Sequence, residues 1–297
     1  MNKSQKAFSL IELSIVILII GILIAGITQS SRLVAQMRLS TARSLTQNSP
    51  ISSIQNLTLW VEATSAASLS TYNSTTSAYT VVDQPDDQTS IGAWNDINPQ
   101  IIVQYRNTAT QTIATSQPKY IANAINGLPA LQFDGTDDAL LSPLNTSGDV
   151  YSAFVVISSG ATFVGDKSIF GPSAAKGISW NVKADGSTMG VAKSTISYLG
   201  TASTPLSTNT KYILHFRWSD ASNTIYFRIN GADAGSSTAN QQFSDSTTTL
   251  KIGSESTSGM NWNGLIAELV TFDRVLKAEE ITSIEKYLGQ KWGIKTP

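Results

Sequence analysis

The chain contains no cysteine and a single histidine, His215, among its 297 residues. The first absence excludes disulfides and thiolate metal sites, so the fold depends on its core alone. The second excludes metal sites built from several histidines. Charge is also scarce, since 14% of residues are charged and the net charge is -1. This composition has no basic excess for a phosphate backbone, and we expect no nucleic-acid partner.

The most apolar segment lies near the N-terminus. Phe8 to Ile27 supplies 20 mostly apolar residues without proline, about 30 Å of helix and enough to cross a bilayer. Lys3 and Lys6 precede it, which predicts a cytoplasmic N-terminus and an exported remainder. An ordinary export signal cut near Ala25-Gly26-Ile27 is the alternative. The segment also contains Glu12, whose carboxylate is unfavourable in an apolar span unless it is paired.

Lys6-Ala7-Phe8-Ser9-Leu10-Ile11-Glu12-Leu13 resembles the cleavage and methylation motif of type IV prepilins and pseudopilins. The resemblance implies that a prepilin peptidase/methylase cuts between Ala7 and Phe8 and methylates the Phe8 amine. Ala7 replaces the glycine usual in that family but keeps the side chain small. The family also implies that Glu12 pairs with the terminal amine of a neighbouring pilin or pseudopilin. The alternative is that Glu12 is solvated near the headgroups, about 6 Å along the helix from Phe8.

The helical pattern continues beyond the apolar run to about Thr46, and Asn48-Ser49-Pro50 then ends it. One face of this continuation is predicted to carry Ile27, Val34, Met37, Ala42 and Leu45. The predicted organisation is a leader at 1–7, a pilin-like helix at 8–48 with 8–27 transmembrane, and one domain at 49–297.

Beyond the helix, short runs of alternating apolar residues predict β-strands. The predicted strands are Leu57 to Glu62, Ile101 to Tyr105, Ala130 to Asp134, Tyr151 to Ser158, Ile178 to Val182, Tyr212 to Ser219, Thr224 to Ile229, Leu250 to Gly253 and Leu265 to Phe272. Asn230-Gly231 predicts a hairpin turn, because both central positions of a type I′ turn need positive φ. Lys277 to Lys291 predicts a closing helix that lays Ile281, Ile284, Tyr287 and Leu288 on a sandwich.

Three stretches resemble the concanavalin A-like or laminin-G-like jelly rolls. They are Leu57 to Ala63, Gln117 to Tyr120 with Ile125 to Gly135, and Trp262 to Leu269 with Leu276 to Ile281. The resemblance covers about Leu57 to Ile294. It implies a mainly β fold in which a jelly-roll β-sandwich follows the long N-terminal helix and ends in a C-terminal helix.

The sequence does not predict an enzyme. Jelly-roll glucanases place catalytic carboxylates on alternate residues of one strand, and no Glu-x-Asp-x-x-Glu run is present. Glu268 has Ile266 and Val270 at the same-face positions instead. His215 lies in a predicted strand, where we expect a surface or half-buried residue rather than a catalyst.

Binding is the stronger expectation for this domain. Asp134, Asp137 and Asp138 cluster around Gly135 and could supply oxygen ligands to calcium, although such residues also make ordinary turns. Trp94, Trp180 and Trp262 are candidates for stacking on sugars, with a structural role as the alternative for each. Trp60 and Trp218 lie in alternating strands and are expected in the core.

Together the resemblances imply a pilin-like subunit of a type IV pilus or secretion pseudopilus, with a lectin-like head for adhesion or for binding a glycan or surface ligand. A bulky head on every subunit would crowd a filament, so a minor or tip position is expected. The subunit would reside in the bacterial inner membrane before assembly. The alternative is a membrane-anchored lectin-like or structural surface protein that does not assemble.

Overall fold

The computed structural model describes residues 10–145, 150–174, 178–183, 189–193, 197–219, 221–238, 249–256 and 259–297. It begins with a helix, α1 (Leu10–Gln47), of 38 residues, about 57 Å long at 1.5 Å per residue. Among the described residues, α1 is the one helix long and apolar enough to cross a membrane. The predicted helix end is confirmed, because Ser49 then caps a 3-10 turn at Pro50–Ser53 by accepting a bond from the Ile51 N–H.

The rest of the described chain is mainly β. The strands are β1 (Leu57–Glu62), β2 (Leu69–Asn73), β3 (Ala78–Val81), β4 (Ala93–Trp94), β5 (Ala109–Thr110), β6 (Lys119–Ile125), β7 (Leu128–Asp134), β8 (Leu140–Asn145), β9 (Val150–Ser159), β10 (Lys167–Pro172), β11 (Ile178–Val182), β12 (Met189–Lys193), β13 (Ser197–Thr201), β14 (Lys211–Ser219), β15 (Thr224–Ile229), β16 (Ala232–Thr238), β17 (Thr249–Ile252) and β18 (Asn263–Phe272). A second helix, α2 (Ala278–Trp292), follows them.

These strands form two antiparallel sheets. The first, the helix-side sheet, has the order β16-β15-β14-β9-β18-β7-β6, with β1 also paired to β18. The second, the far sheet, has the order β13-β12-β11-β10-β17-β8-β5-β4-β2-β3. This arrangement is jelly-roll-like, and the predicted mainly β fold class is confirmed.

Most of the predicted strands are observed, with ends shifted by at most two residues. The exception is Ile101 to Tyr105, where the strand prediction is wrong and the chain forms a 3-10 turn at Val103–Tyr105. The segment is held at both ends, since Gln100 Nε2 donates to the Ile54 carbonyl at 2.7 Å and Arg106 Nη1 to the Asp96 carbonyl at 3.3 Å. No strand in the described chain pairs with it, so its apolar alternation has no sheet to join.

The predicted hairpin turn is confirmed between β15 and β16. Asn230 has φ 51° and Gly231 has φ 79°, the positive values that a type I′ turn requires. The turn places Ile229 opposite Ala232, which keeps the apolar face of β15 on the core.

Two hydrophobic cores lie on opposite faces of the helix-side sheet. The first fills the space between the sheets and contains Phe133, Phe170, Trp180 and Phe216. The second lies on the outer face of the helix-side sheet, where α1 and α2 cover it, and contains Ala42, Trp60, Phe154 and Trp292. The predicted closing helix is confirmed as α2, and its residues Ile281, Ile284, Tyr287 and Leu288 pack in this second core.

The face of α1 that meets the head is the predicted one in part, since Ala42 and Leu45 pack in or against the second core. Leu39, Ala42 and Thr46 are buried, with Arg43 beside them donating from Nε to the Thr64 carbonyl at 2.7 Å. These four residues have the spacing i, i+3, i+4, i+7 of one helix face. Val34 and Met37 from the predicted face remain 47% and 62% exposed, because they lie along the rim of the contact.

Candidate functional site

The N-terminal candidate site is described only in part. Ala7 and Phe8, the predicted cleavage and methylation residues, lie outside the described residues. Glu12 lies in the first described turn of α1. Its side chain is exposed, and its helix neighbours Leu10, Ile11 and Leu13 are 84%, 69% and 57% exposed. A carboxylate on an otherwise apolar helix surface is a costly arrangement in a bilayer.

A groove runs along α1 where that helix passes the C-terminal end of α2. Its volume is about 540 Å³, and Val34, Met37 and Thr41 of α1 line it opposite Leu128 and Trp292 of the head. The groove joins the exposed part of α1 to the second core. It gives α1 an apolar surface beyond the length needed to cross a bilayer.

The second core encloses a charged cluster that sequence reasoning missed. Lys291 Nζ lies 2.9 Å from Glu62 Oε2 and 2.9 Å from Glu268 Oε2, and all three side chains are fully buried. Glu62 also accepts bonds from the Thr64 N–H and Oγ1, both at 2.6 Å. Because Glu62 belongs to β1, Glu268 to β18 and Lys291 to α2, the cluster ties three elements together.

Glu268 is the best-satisfied carboxylate of this cluster. Its Oε1 accepts from Trp60 Nε1 at 2.8 Å and from the Tyr287 hydroxyl at 2.9 Å, and its Oε2 accepts from Trp292 Nε1 at 2.7 Å. With Lys291 the carboxylate has four partners. Solvent does not reach it, so these contacts assign Glu268 a structural role.

The cluster perturbs the pKa values of its members. Burial alone would raise the pKa of Glu62, but the Lys291 ammonium and the bonds from Ser65 and Thr64 outweigh it, and the pKa lies below its usual value. Burial opposes the charge of Lys291, yet Glu268 and Glu62 raise its pKa above the ordinary value. Both groups are therefore charged at neutral pH and hold each other in that state.

His215 is fully buried, so the expectation of a surface or half-buried residue is wrong. Its ring stacks on Phe154 with centroids 4.2 Å apart and planes at 13°, beneath the layer that α2 forms. Burial, with Arg228 and Arg217 adding to it, lowers the pKa of His215 well below its ordinary value. The ring is neutral at physiological pH, and among the described residues it has no hydrogen-bond partner.

The three aspartates of the β7–β8 loop converge as the sequence suggested. Asp134, Asp137 and Asp138 each bring one carboxylate oxygen within 4.8 Å of the others. Asp134 Oδ1 accepts from the Thr136 N–H at 2.7 Å, Asp138 Oδ2 accepts from the Asp134 N–H at 2.9 Å, and Asp137 Oδ2 accepts from Ser116 Oγ at 2.7 Å. Burial, followed by the charge of Asp134, raises the pKa of Asp138 to about 6. The loop thus has turn hydrogen bonds and converging carboxylates at once.

The three tryptophans proposed to stack on sugars are core residues. Trp94, Trp180 and Trp262 are 0%, 0% and 1% exposed, so the expectation of exposed rings is corrected. Trp94 Nε1 donates to the Glu62 carbonyl at 3.0 Å, and Trp180 packs edge-on against Phe216 at 4.7 Å. Trp94 and Trp180 occupy inward-facing positions of the far sheet, and Trp262 directly precedes β18 of the helix-side sheet. All three lie in the core between the sheets, where solvent is excluded. Trp60 and Trp218, expected in the core, are buried.

The two packed antiparallel sheets define a jelly-roll-like protein, preceded by a helix long and apolar enough to cross a membrane. A family model described as the concanavalin A-like lectin/glucanases superfamily matches residues 133–282. A second, described as the prokaryotic N-terminal methylation motif, matches residues 2–28. The chain belongs to the concanavalin A-like lectin/glucanases superfamily and carries the methylation motif of prepilins. No curated protein matches it.

Several solved structures are similar to the chain at low identity. Domain 4 of an extracellular arabinanase from Geobacillus stearothermophilus, in complex with arabinotriose, is 16% identical with a TM-score of 0.46, covering 57% of this chain and 81% of that one. A pentraxin from Limulus polyphemus is 18% identical with a TM-score of 0.41, covering 52% and 80%. Trypanosoma rangeli sialidase is 11% identical with a TM-score of 0.49, covering 89% of this chain and 39% of the sialidase. Identities this low carry no information on ligand or activity.

Proposed function

We propose that the chain is a pilin-like subunit of a type IV pilus or secretion pseudopilus, at a minor or tip position, with a jelly-roll head that binds a surface ligand. The observation that carries the proposal is the methylation motif at residues 2–28, continued by the single helix Leu10–Gln47. A helix of this length serves both as a membrane anchor before assembly and as an inter-subunit rod afterwards. An anchor alone needs only about 20 residues.

The exposed surface of α1 supports assembly. Leu33, Val34 and Met37 are 58%, 47% and 62% exposed, although they lie beyond the 20-residue span. Apolar side chains in this position need a partner, and the helix of a neighbouring subunit supplies one of matching chemistry. The groove beside α2 extends the same surface.

The test of processing is the mass of the mature N-terminus. We expect a chain that starts at a methylated Phe8, since the motif places the cut on the cytoplasmic side of the apolar run. A matched pair of variants, Ala7→Arg and Gln5→Arg, places the same charge at the cleavage position and two residues before it. Only Ala7→Arg should block the cut, because the peptidase pocket takes a small residue. An intact Met1 or a cut near Gly26 would favour the non-assembling surface protein.

Assembly is tested at Glu12. Glu12→Leu removes the carboxylate expected to pair with a neighbour's terminal amine, while Ser14→Leu alters a nearby position whose hydroxyl bonds only its own helix, to the Leu10 carbonyl. We expect Glu12→Leu to be processed and inserted but missing from sheared filaments, with Ser14→Leu retained. The tip position fails if immunogold labels filaments along their whole length.

We infer that the head is a non-catalytic binding domain. The support is that Glu268 is buried and engaged by four partners, and that His215 is buried and neutral at physiological pH. Probing a glycan array with the full chain in detergent, with calcium and with EDTA, tests the ligand class. Hydrolysis of an array glycan would overturn the non-catalytic assignment, and no signal in either condition would leave the head as a structural cap.

A further inference from the structure

Glu255 is a buried carboxylate that no described residue neutralises. It lies in the loop between β17 and β18 and is 2% exposed. Neither of its carboxylate oxygens has a hydrogen-bond partner, and the ion pairs between described residues do not include it. An isolated ionised carboxylate in a protein interior is strongly unfavourable. A cation beside it would remove this cost.

The loop holds Glu255 in a fixed place against the far sheet. Ser254, the preceding residue, donates from Oγ to Asn261 Oδ1 at 2.6 Å, and the Trp262 N–H donates to the Gly253 carbonyl at 2.8 Å. A Cβ added to Gly171 of β10 would lie 2.4 Å from Glu255 Cβ. Only glycine at position 171 allows this approach, so the backbone of β10 is shaped to admit the Glu255 side chain.

Two further oxygens without partners among the described residues lie on the adjacent strands β10 and β11. The same added Cβ on Gly171 would lie 3.2 Å from Ser168 Oγ, so Glu255 Cβ and Ser168 Oγ are no more than about 6 Å apart. Ser168 is the cross-strand partner of Asn181, which places their side chains on one face with Cβ atoms about 5 Å apart. Ser168 Oγ and Asn181 Oδ1 are both buried and both lack a partner among the described residues.

These groups share the face of the far sheet that points away from the inter-sheet core. Trp180 and Val182, which flank Asn181 on β11, both point into that core, so Asn181 points to the opposite face. Glu255 lies over this face at Gly171. The end of the β17–β18 loop pairs beside β10, where the Ser168 N–H donates to the Met260 carbonyl at 3.2 Å. Carboxylate, hydroxyl and amide oxygens are thus all buried on one face of the far sheet.

We propose that Glu255, Ser168 and Asn181 form a calcium site under the β17–β18 loop. The donors are all oxygen, the set that suits a hard cation and not zinc or copper. Oxygens at right angles around one calcium at 2.4 Å are roughly 3.4 Å apart. Oxygens that bind one ion at this spacing need not hydrogen-bond each other. This accounts for the Ser168 hydroxyl, which does not bond the neighbouring Glu255 carboxylate. With a single carboxylate the site is weak, in the range of about 10⁻⁴ to 10⁻³ M that extracellular modules show.

This site shares no residue with the Asp134, Asp137 and Asp138 loop, which Asn261 Nδ2 contacts by donating to the Thr136 carbonyl. A variant of that neighbouring loop is therefore the comparator. The full chain in detergent is unfolded by heat in EDTA, in 10 mM CaCl2 and in 10 mM MgCl2, with tryptophan fluorescence as the readout. Calcium should raise the Tm by about 3–10 °C and magnesium by less, as expected for a weak site at tenfold to hundredfold excess. Glu255→Gln should lose the calcium response, and Asp137→Asn should keep it.

The direction of the Tm change that Glu255→Gln causes in EDTA distinguishes the loss of a calcium ligand from the loss of a stable fold. Without calcium, Glu255→Gln removes an unneutralised buried charge and should melt no lower than the unmodified chain. Equilibrium dialysis with ⁴⁵Ca should show one equivalent fewer for Glu255→Gln than for the unmodified chain. The proposal is overturned if Glu255→Gln melts lower in EDTA, if it keeps the calcium response, or if the unmodified chain does not respond. None of these results depends on pilus assembly or glycan binding.

Discussion

At the scale of single residues, Lys291 is the side chain on which the second core depends. It neutralises Glu62 and Glu268, and its ammonium also lies 3.2 Å from the Tyr287 hydroxyl. Two carboxylates and one ammonium in a dry interior are tolerated only because each has several hydrogen bonds. Such a cluster is a weak source of net stability, but it is very sensitive to the loss of one member.

Lys291→Met tests that sensitivity. The substitution leaves two buried carboxylates without a cation, so we expect the free energy of unfolding to fall by about 3–5 kcal/mol. Lys286→Met is the matched control, because Lys286 is an exposed lysine of the same helix, and we expect its effect to stay within about 0.5 kcal/mol. Urea unfolding measures both. Equal effects of the two variants would show that the cluster is not coupled to the fold.

Asp138, in contrast, destabilises the folded state when its carboxyl is ionised. Its folded pKa of about 6 lies above the unfolded value of about 3.9, so the folded state binds more protons between about pH 4 and 6. Stability from this group therefore declines as the pH rises through that window. Asp138→Asn should raise the Tm at pH 7 by about 2–4 °C, roughly 1 kcal/mol for a chain of this size, and give no gain at pH 4.

Thermal unfolding in EDTA at the two pH values makes this measurement without interference from bound cations. Asp86→Asn, at an exposed aspartate, is the control and should change the Tm at neither pH. A gain for Asp138→Asn at pH 4 equal to that at pH 7 would contradict the raised pKa.

At the scale of elements, the junction between α1 and the head joins a long helix to the core of a globular domain. Leu39, Ala42 and Thr46 are buried in the contact, and Thr46 Oγ1 lies 3.3 Å from the Tyr287 hydroxyl. That hydroxyl is bonded to Glu268. The last turns of α1 are therefore linked to the buried charged cluster through one tyrosine.

Ala42→Arg and Thr41→Arg place the same charge on neighbouring positions of α1. Ala42 is 2% exposed, so its replacement buries an unpaired charge, and we expect a loss of about 3 kcal/mol or more. Thr41 is exposed, so its replacement should cost less than about 0.5 kcal/mol. Tryptophan fluorescence during urea unfolding reports the difference. Similar losses at both positions would contradict the docked geometry.

At the scale of the whole molecule, the two cores differ in what they depend on. The core between the sheets is built by the head alone, whereas the second core includes Ala42 of α1. The head is therefore incomplete without the last turns of α1. A chain built this way transmits the orientation of α1 directly to its head.

This dependence is tested with two chains that lack the apolar span, one starting at Ser30 and one at Asn48. Both keep the Ser49 cap, so they differ only in the docked part of α1. We expect the shorter chain to be less stable by about 2–4 kcal/mol, because apolar surface is exposed. Ala42 packs in the second core and Leu39 lies beside Leu69 and Tyr120. Equal urea midpoints would mean that the head folds independently of α1.

The sequence by itself determined the apolar helix, the Asn230-Gly231 turn and most of the strands that alternate in period two. These features depend on local chemistry, namely side-chain periodicity and positive φ, which neighbouring residues are enough to establish. The methylation motif is local in the same sense. The failed strand at Ile101 to Tyr105 shows the limit, since alternation predicts a strand only where a partner strand is available.

The tertiary structure alone decided which polar residues are buried and with what partners. Glu62 and Lys291 are 229 positions apart in sequence, and no local pattern distinguishes either from an exposed charge. The sequence left open whether Trp94, Trp180 and Trp262 are exposed or buried, and the packing of the two sheets buries them. The same is true of His215, whose face α2 covers. Burial is a property of how distant segments pack, so it is the packing of this head, and not its composition, that determines which of its charges need a partner.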